Sequence, residues 1–202
     1  MRATLETKQN FYKKVFPNSL LEPNPEDFEK IKRWINDDEF FNSMEREQAS
    51  REKNQMDPSN FHKICDKKGK TLIIMHSEDE CVFGGYSSIG WESSNRYIND
   101  PQAFIFTLRN PRGDPPQKFK VQNKQTKLAI ADFKGWGPVF GELDTYNGES
   151  DLSVNNVFEP KSRLGNTFIS PIGQKDKDQE TFLFSKNTKI DKIEYYFVPT
   201  KN

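Results

Sequence analysis

From residue 71 onward the chain is written in short apolar runs rich in β-branched and aromatic residues, each cut off by glycine, proline or a polar cluster. That punctuation leaves no room for long helices and directs this part of the chain into sheet. Residues 71–76 and 81–83 flank the polar loop Ser77-Glu78-Asp79-Glu80 and read as a hairpin. Phe104, Phe106 and Leu108 alternate with Ile105 and Thr107, so both faces are apolar, as on a strand inside a sheet. Residues 118–122 alternate with one side for water, and 128–131, 182–184 and 193–198 complete the clear strands. The intervening turn 110–116 holds three prolines and a glycine and cannot carry a ladder.

The first third reads differently. Asn24-Pro25-Glu26-Asp27 is a helix start, with asparagine as cap, proline at the first position and two acids at the positive end of the dipole. Phe28, Ile31 and Ile35, with Trp34 beside them, give that helix one buried face. Asp57-Pro58 starts a second helix in the same way, with Phe61, Ile64 and Cys65 on one side. Between them, residues 45–57 alternate charge without an apolar stripe and predict an exposed helix or connector. Residues 1–17 carry Arg2, Lys8, Lys13 and Lys14 around a small aromatic cluster and predict an arm ahead of a single domain spanning 18–202. The fold class expected is α+β and β-dominated, a two-sheet antiparallel sandwich flanked by N-terminal helices.

Composition bounds the function. Only 33% of residues are hydrophobic, but 17 are phenylalanine, and each buried ring removes on the order of 150–250 Å² from water, enough for one core. Thirty basic residues balance thirty acidic ones, so no global field draws the chain to nucleic acid or an anionic membrane. No apolar run reaches membrane-spanning length, and the two cysteines with no Asn-x-Ser/Thr sequon suit a reducing, cytoplasmic setting.

Five segments in order carry a resemblance. They are Phe61-His62 with 65–69 and Thr71-Leu72; Phe83-Gly84-Gly85-Tyr86 with Trp91; residues 100–106, led by Asp100; Gly137-Pro138-Val139-Phe140-Gly141; and residues 190–195. Together they resemble a TLDc domain from about Asn18 to Val198. Two departures mark a divergent member: Glu142-Leu143-Asp144 follows Gly141, and only Ala49-Ser50-Arg51 remains of a Ser-Arg-Asp-Gly turn. The resemblance implies a eukaryotic, non-catalytic protein-binding module that regulates or adapts the vacuolar proton-pumping ATPase, or serves in oxidation resistance. It places the protein in the cytoplasm, in association with membrane-bound pumps or the cytoskeleton. Alternatives are a structural component of a cytoskeletal or ciliary assembly, anchored by the arm, and a hydrolase or metal enzyme using the acidic loop after Gly141.

The binding surface expected is Gly84, Gly85, Trp91, Gly137, Gly141, Glu142 and Asp144, together with the last strand. Gly84-Gly85 also reads as a structural bulge at a strand end. His62, Cys65, His76 and Cys81 have the ligand types of a Cys2His2 zinc site, but their spacing does not establish convergence, and no cofactor is expected. The thiols read as small buried hydrophobes before redox centres. The acids of 78–80, and Glu142, Asp144, Glu149 and Asp151, read as solvated loop charges.

Overall fold

The computed structural model describes residues 18–21, 24–50, 57–146, 149–154, 159–170 and 182–199. The arm, residues 1–17, lies outside them. The helices are α1 (Pro25–Ile35), α2 (Asp38–Ser43) and α3 (Pro58–Cys65). The strands, in chain order, are β1 (Glu45–Ser50), β2 (Thr71–Ser77), β3 (Val82–Ser87), β4 (Arg96–Ile98), β5 (Phe104–Arg109) and β6 (Gln117–Lys120), followed by β7 (Ile130–Asp132), β8 (Val139–Phe140), β9 (Leu152–Val154), β10 (Pro160–Lys161) and β11 (Ile190–Phe197).

The strands form two antiparallel sheets, one of six strands in the order β1-β11-β2-β3-β5-β6 and one of five in the order β10-β9-β8-β7-β4. Period-two alternation sorts the side chains of the larger sheet. Leu72, Ile74, Phe104, Phe106 and Leu108 face a helical layer containing Phe28, Ile31 and Phe40. Ile73, Met75, Phe83 and Ile105 face inward, against Ile130, Phe140, Leu152 and Val154 of the second sheet. The result is the expected two-sheet sandwich with N-terminal helices; α1 and α2, the latter not expected, cover one outer face, and Phe61 and Cys65 of α3 join the core between the sheets.

The caps follow the sequence. The Asn24 side chain accepts from the Glu26 amide at 3.1 Å and Asp57 from the Asn60 amide at 3.0 Å. α2 carried no apolar pattern, yet Asp37 caps it and it delivers the buried Phe40. Asp27 does more than face a dipole: its carboxylate accepts from Arg109 on β5 at 2.8 Å and fastens α1 to the larger sheet.

Three expectations are corrected. Residues 45–50 form an edge strand paired with β11 in place of a helix or connector, while 51–56 lie outside the described residues. Residues 182–184 are buried but bent, and belong to neither sheet. The polar stretch after Gly141 carries two short strands, β9 and β10.

Candidate functional site

Gly84 and Gly85 lie mid-strand in β3, not at its end, and the register shift beside them falls at Val82/Phe83. They are glycines because of close approach. A β-carbon on Gly84 would lie 1.9 Å from the Ile73 carbonyl oxygen, and one on Gly85 would enter the Phe140 ring at 2.5 Å. Phe140 therefore seats its ring on bare backbone across the sandwich, in edge contact with Trp91 at 5.8 Å. Trp91 is itself buried and also meets Phe61 edge-on at 4.9 Å. Gly137 is buried against the Val154 carbonyl, and β11 runs inside its sheet with Tyr195, Tyr196 and Phe197 buried. These positions shape the scaffold, whereas Glu142 and Asp144 stand exposed.

What organises the surroundings of Glu142 is Asp151. This side chain is wholly buried, and its carboxylate accepts from the backbone amides of Gly165 (2.9 Å), Asn166 (3.1 Å), Thr167 (2.8 Å) and Phe168 (3.0 Å). Burial pushes its pKa up, and the amides oppose that. Gly141, at φ +101°, leaves the space Asp151 occupies: a β-carbon there would stand 2.4 Å from Oδ2. The Glu142 amide then donates to Thr167 Oγ1 at 2.9 Å. The expectation that Asp151 is a solvated loop charge is thus overturned.

Above this floor lies an open groove of about 440 Å³ lined by Glu142, Asp144, Glu149, Ser150, Arg163 and Asn166, among others. A backbone bond from the Asp144 amide to the Glu149 carbonyl (2.8 Å) closes one wall. Glu149 pairs with Arg163 at 3.4 Å, and Glu142 accepts from Asn166 Nδ2 at 3.3 Å. Tyr146, on the turn that carries Asp144, is 94% exposed.

Two further aspartates repeat the device. Asp100 holds the Ser88 amide at 2.7 Å and the Gln102 amide at 3.1 Å, and Asp132 takes the amides of Glu92, Ser93 and Ser94. At the hairpin tip the acids of 78–80 are exposed, as expected, and Asp79 also reaches across to the Ser185 amide (3.1 Å) and Thr188 Oγ1 (2.7 Å), which makes it a clasp. Burial alone would raise its pKa, but bonds from Ser185, Ser77, Thr188 and Cys81 outweigh that and hold the carboxyl far below the usual range.

His62, Cys65, His76 and Cys81 are not drawn together. His62 Nδ1 lies 2.9 Å from Asp66 Oδ1, and its Nε2 faces the carbonyl oxygens of Phe133 (3.2 Å) and Trp136 (3.0 Å), which can only accept. His76 meets Glu80. Among the described residues the convergent set is His62, Asp66 and Asp132, and its atoms already hold α3, β7 and the 92–94 loop together. A cation there would displace those bonds. Both cysteines are buried. Burial, with Asp66 nearby, drives the Cys65 thiol well up, and burial with a bond to Asp79 pushes Cys81 up to about 12, so neither forms a thiolate near neutrality.

The chain is thus a two-sheet antiparallel sandwich whose irregular loops hang on aspartate side chains, with an open polar groove beside the second sheet. The family model of the TLDc domain matches residues 19–198, and the chain belongs to the TLDc family. No curated protein matches this sequence. No helix among the described residues is long and apolar enough to cross a membrane.

Proposed function

We propose that this TLDc module acts by binding other proteins and not by turnover, and that its partner is the vacuolar proton-pumping ATPase, which it regulates or to which it adapts other factors. Protection against oxidation would then follow from that association. The observation that carries the reading is the division of labour among the acids. Asp79, Asp100, Asp132 and Asp151 hold loops in place, while Glu142 and Asp144 border an open groove. Catalytic carboxylates work in enclosed, water-poor sites; exposed ones on a rigid floor suit recognition. The two thiols, buried and held protonated, make poor redox centres, which favours protection through a partner.

The test is affinity capture of the tagged full chain from cells with intact acidic organelles. Recovery of pump subunits above a tag-only control is the expected result, and their consistent absence under gentle extraction would overturn the reading.

A further inference from the structure

The end of α1 meets the six-stranded sheet over an open pocket of about 360 Å³, lined by Trp34, Asn36, Tyr86, Gln102, Lys118 and Lys120, among others. Strand pairing sets Tyr86, Phe104 and Lys120 side by side on β3, β5 and β6, so the Phe104 ring stands between the phenol and the lysines. Tyr86 is 3% exposed, and its ring stacks on Phe104 at 5.2 Å and meets Phe40 edge-on at 5.8 Å. Its hydroxyl makes no hydrogen bond among the described residues, yet it is not sealed: the unpaired polar atoms cut off from solvent are His76 Nδ1, Trp91 Nε1, Thr107 Oγ1 and Ser150 Oγ. The little surface left to Tyr86 therefore includes its hydroxyl, which opens on the pocket. Burial first, then the charges of Asp37 and Asp100, push the phenol's pKa up, so it stays a donor. Lys118 is the second unmet group. Its Nζ donates to the Trp34 carbonyl at 2.6 Å and stands 4.1 Å from the centre of the Phe104 ring, which leaves N–H donors to spare. Among the described residues neither Lys118 nor Lys120 has an ion-pair partner, and no carboxylate lines the pocket. Burial and the Lys120 charge bring the Lys118 pKa down to about 8, and no acid opposes them. The pocket thus holds cations without an anion and a buried donor without an acceptor.

We propose that this pocket receives an acidic side chain of a partner protein, its carboxylate beside Lys118 and Lys120 and a backbone carbonyl of the same segment accepting from Tyr86. The charge pattern selects that occupant. A carboxylate suits the lysine end, where only positive charge acts on Lys118, and a neutral acceptor suits the tyrosine end, where Asp37 and Asp100 disfavour an anion. The volume of about 360 Å³ lies within the about 300–1,000 Å³ range of clefts that enclose small ligands, room for one side chain and its backbone. The walls are set before any ligand arrives: Tyr86 and Phe104 are strand residues packed against the helical layer, and Asp100 holds the Gln102 amide at 3.1 Å. Lys118, already pinned between the Trp34 carbonyl and the Phe104 ring, loses little freedom on pairing. This inference rests on the binding-module reading and gives it a contact of stated chemistry on the six-stranded sheet.

The probe is a capped peptide alternating glutamate with alanine, added to the isotope-labelled full chain and followed by amide chemical shifts; peptides with glutamine or lysine in place of glutamate are the controls. Saturable shifts at residues 34–36, 102–104 and 117–120 with the glutamate peptide alone, at an affinity that falls as salt rises, are expected. Lys120→Met should weaken binding severalfold and Lys118→Met at least about tenfold. Because Lys118 also caps α1, the deciding variant is Tyr86→Phe. It keeps the ring and removes a hydroxyl that bonds nothing among the described residues, so affinity should drop severalfold while the melting temperature holds or rises. A tyrosine with only a packing role would leave the affinity unchanged. No shifts at these amides, equal shifts with the glutamine peptide, or undiminished affinity in Tyr86→Phe overturns the inference. Saturable binding of succinate without binding of the peptide also overturns it, in favour of a small-molecule site. Peptide binding without pump recovery would sink the pump reading and leave this one standing; pump recovery without peptide binding would do the reverse.

Discussion

Gly141 sits where a side chain would collide with the group that builds the groove floor. Its φ of +101° is strained for any L-residue, and a β-carbon would press on Asp151 Oδ2. Gly141→Ala should lower stability by about 2–4 kcal/mol, read from urea denaturation, through the sum of backbone strain and a displaced buried carboxylate. Asp79 gives a prediction with a sign. Its folded pKa lies below the ordinary aspartate value of 3.8, so its contribution to stability is fully present above that value and is lost as pH falls through the folded pKa. Asp79→Asn should therefore cost about 1 kcal/mol at neutral pH, discounted for solvent exposure, and the gap to the parent should close in acid titrations below about pH 4. The thiols supply a third test. Cys65 and Cys81 should resist a thiol reagent in the native protein and react at once in denaturant; rapid native labelling would contradict their burial.

At the level of elements, Phe140 joins the two sheets. Its ring covers Gly85 and touches Trp91, so Phe140→Ala should cost about 3–5 kcal/mol and broaden the thermal transition. The same level shows what was legible in the sequence and what was not. Strands β2, β3, β5, β6 and β11 were readable because burial imposes alternation or continuous apolarity on them. β1 was not: only Ala49 is buried, and backbone pairing with β11, from Glu45 opposite Phe197 to Ser50 opposite Lys192, makes it a strand. Its charges suit an edge that must refuse further partners. β8, β9 and β10 are two or three residues long, too short for any period to register. Residues 182–184 misled because their phenylalanines and leucine have the composition of a strand but serve as a buried plug, with Phe184 against Phe83 at 4.7 Å. Of the groove, Glu142 and Asp144 were legible as exposed acids on a loop. Asp151 was not, since the amides it holds lie 14 to 17 residues further on and nothing local marks the pairing.

Across the whole molecule, Glu194 binds the beginning of the described chain to its end. Wholly buried on β11, it accepts from Ser19 Oγ at 2.9 Å, the Leu20 amide at 3.0 Å, Tyr196 at 2.8 Å and Arg46 at 3.2 Å. Burial raises its pKa despite these partners. Glu194→Gln keeps the shape but loses acceptor strength, and should release residues 18–21 to faster amide exchange while the sandwich core stays protected.

Ser19 and Tyr196, 2.8 Å apart, bring the first and last parts of the described chain to one place on the six-stranded sheet, while Gly141 and Glu142 follow a strand of the other. A load applied through Ser19 and Tyr196 would thus enter the fold at a single point, like a pendant on a closed loop, and would bear on the larger sheet instead of the groove.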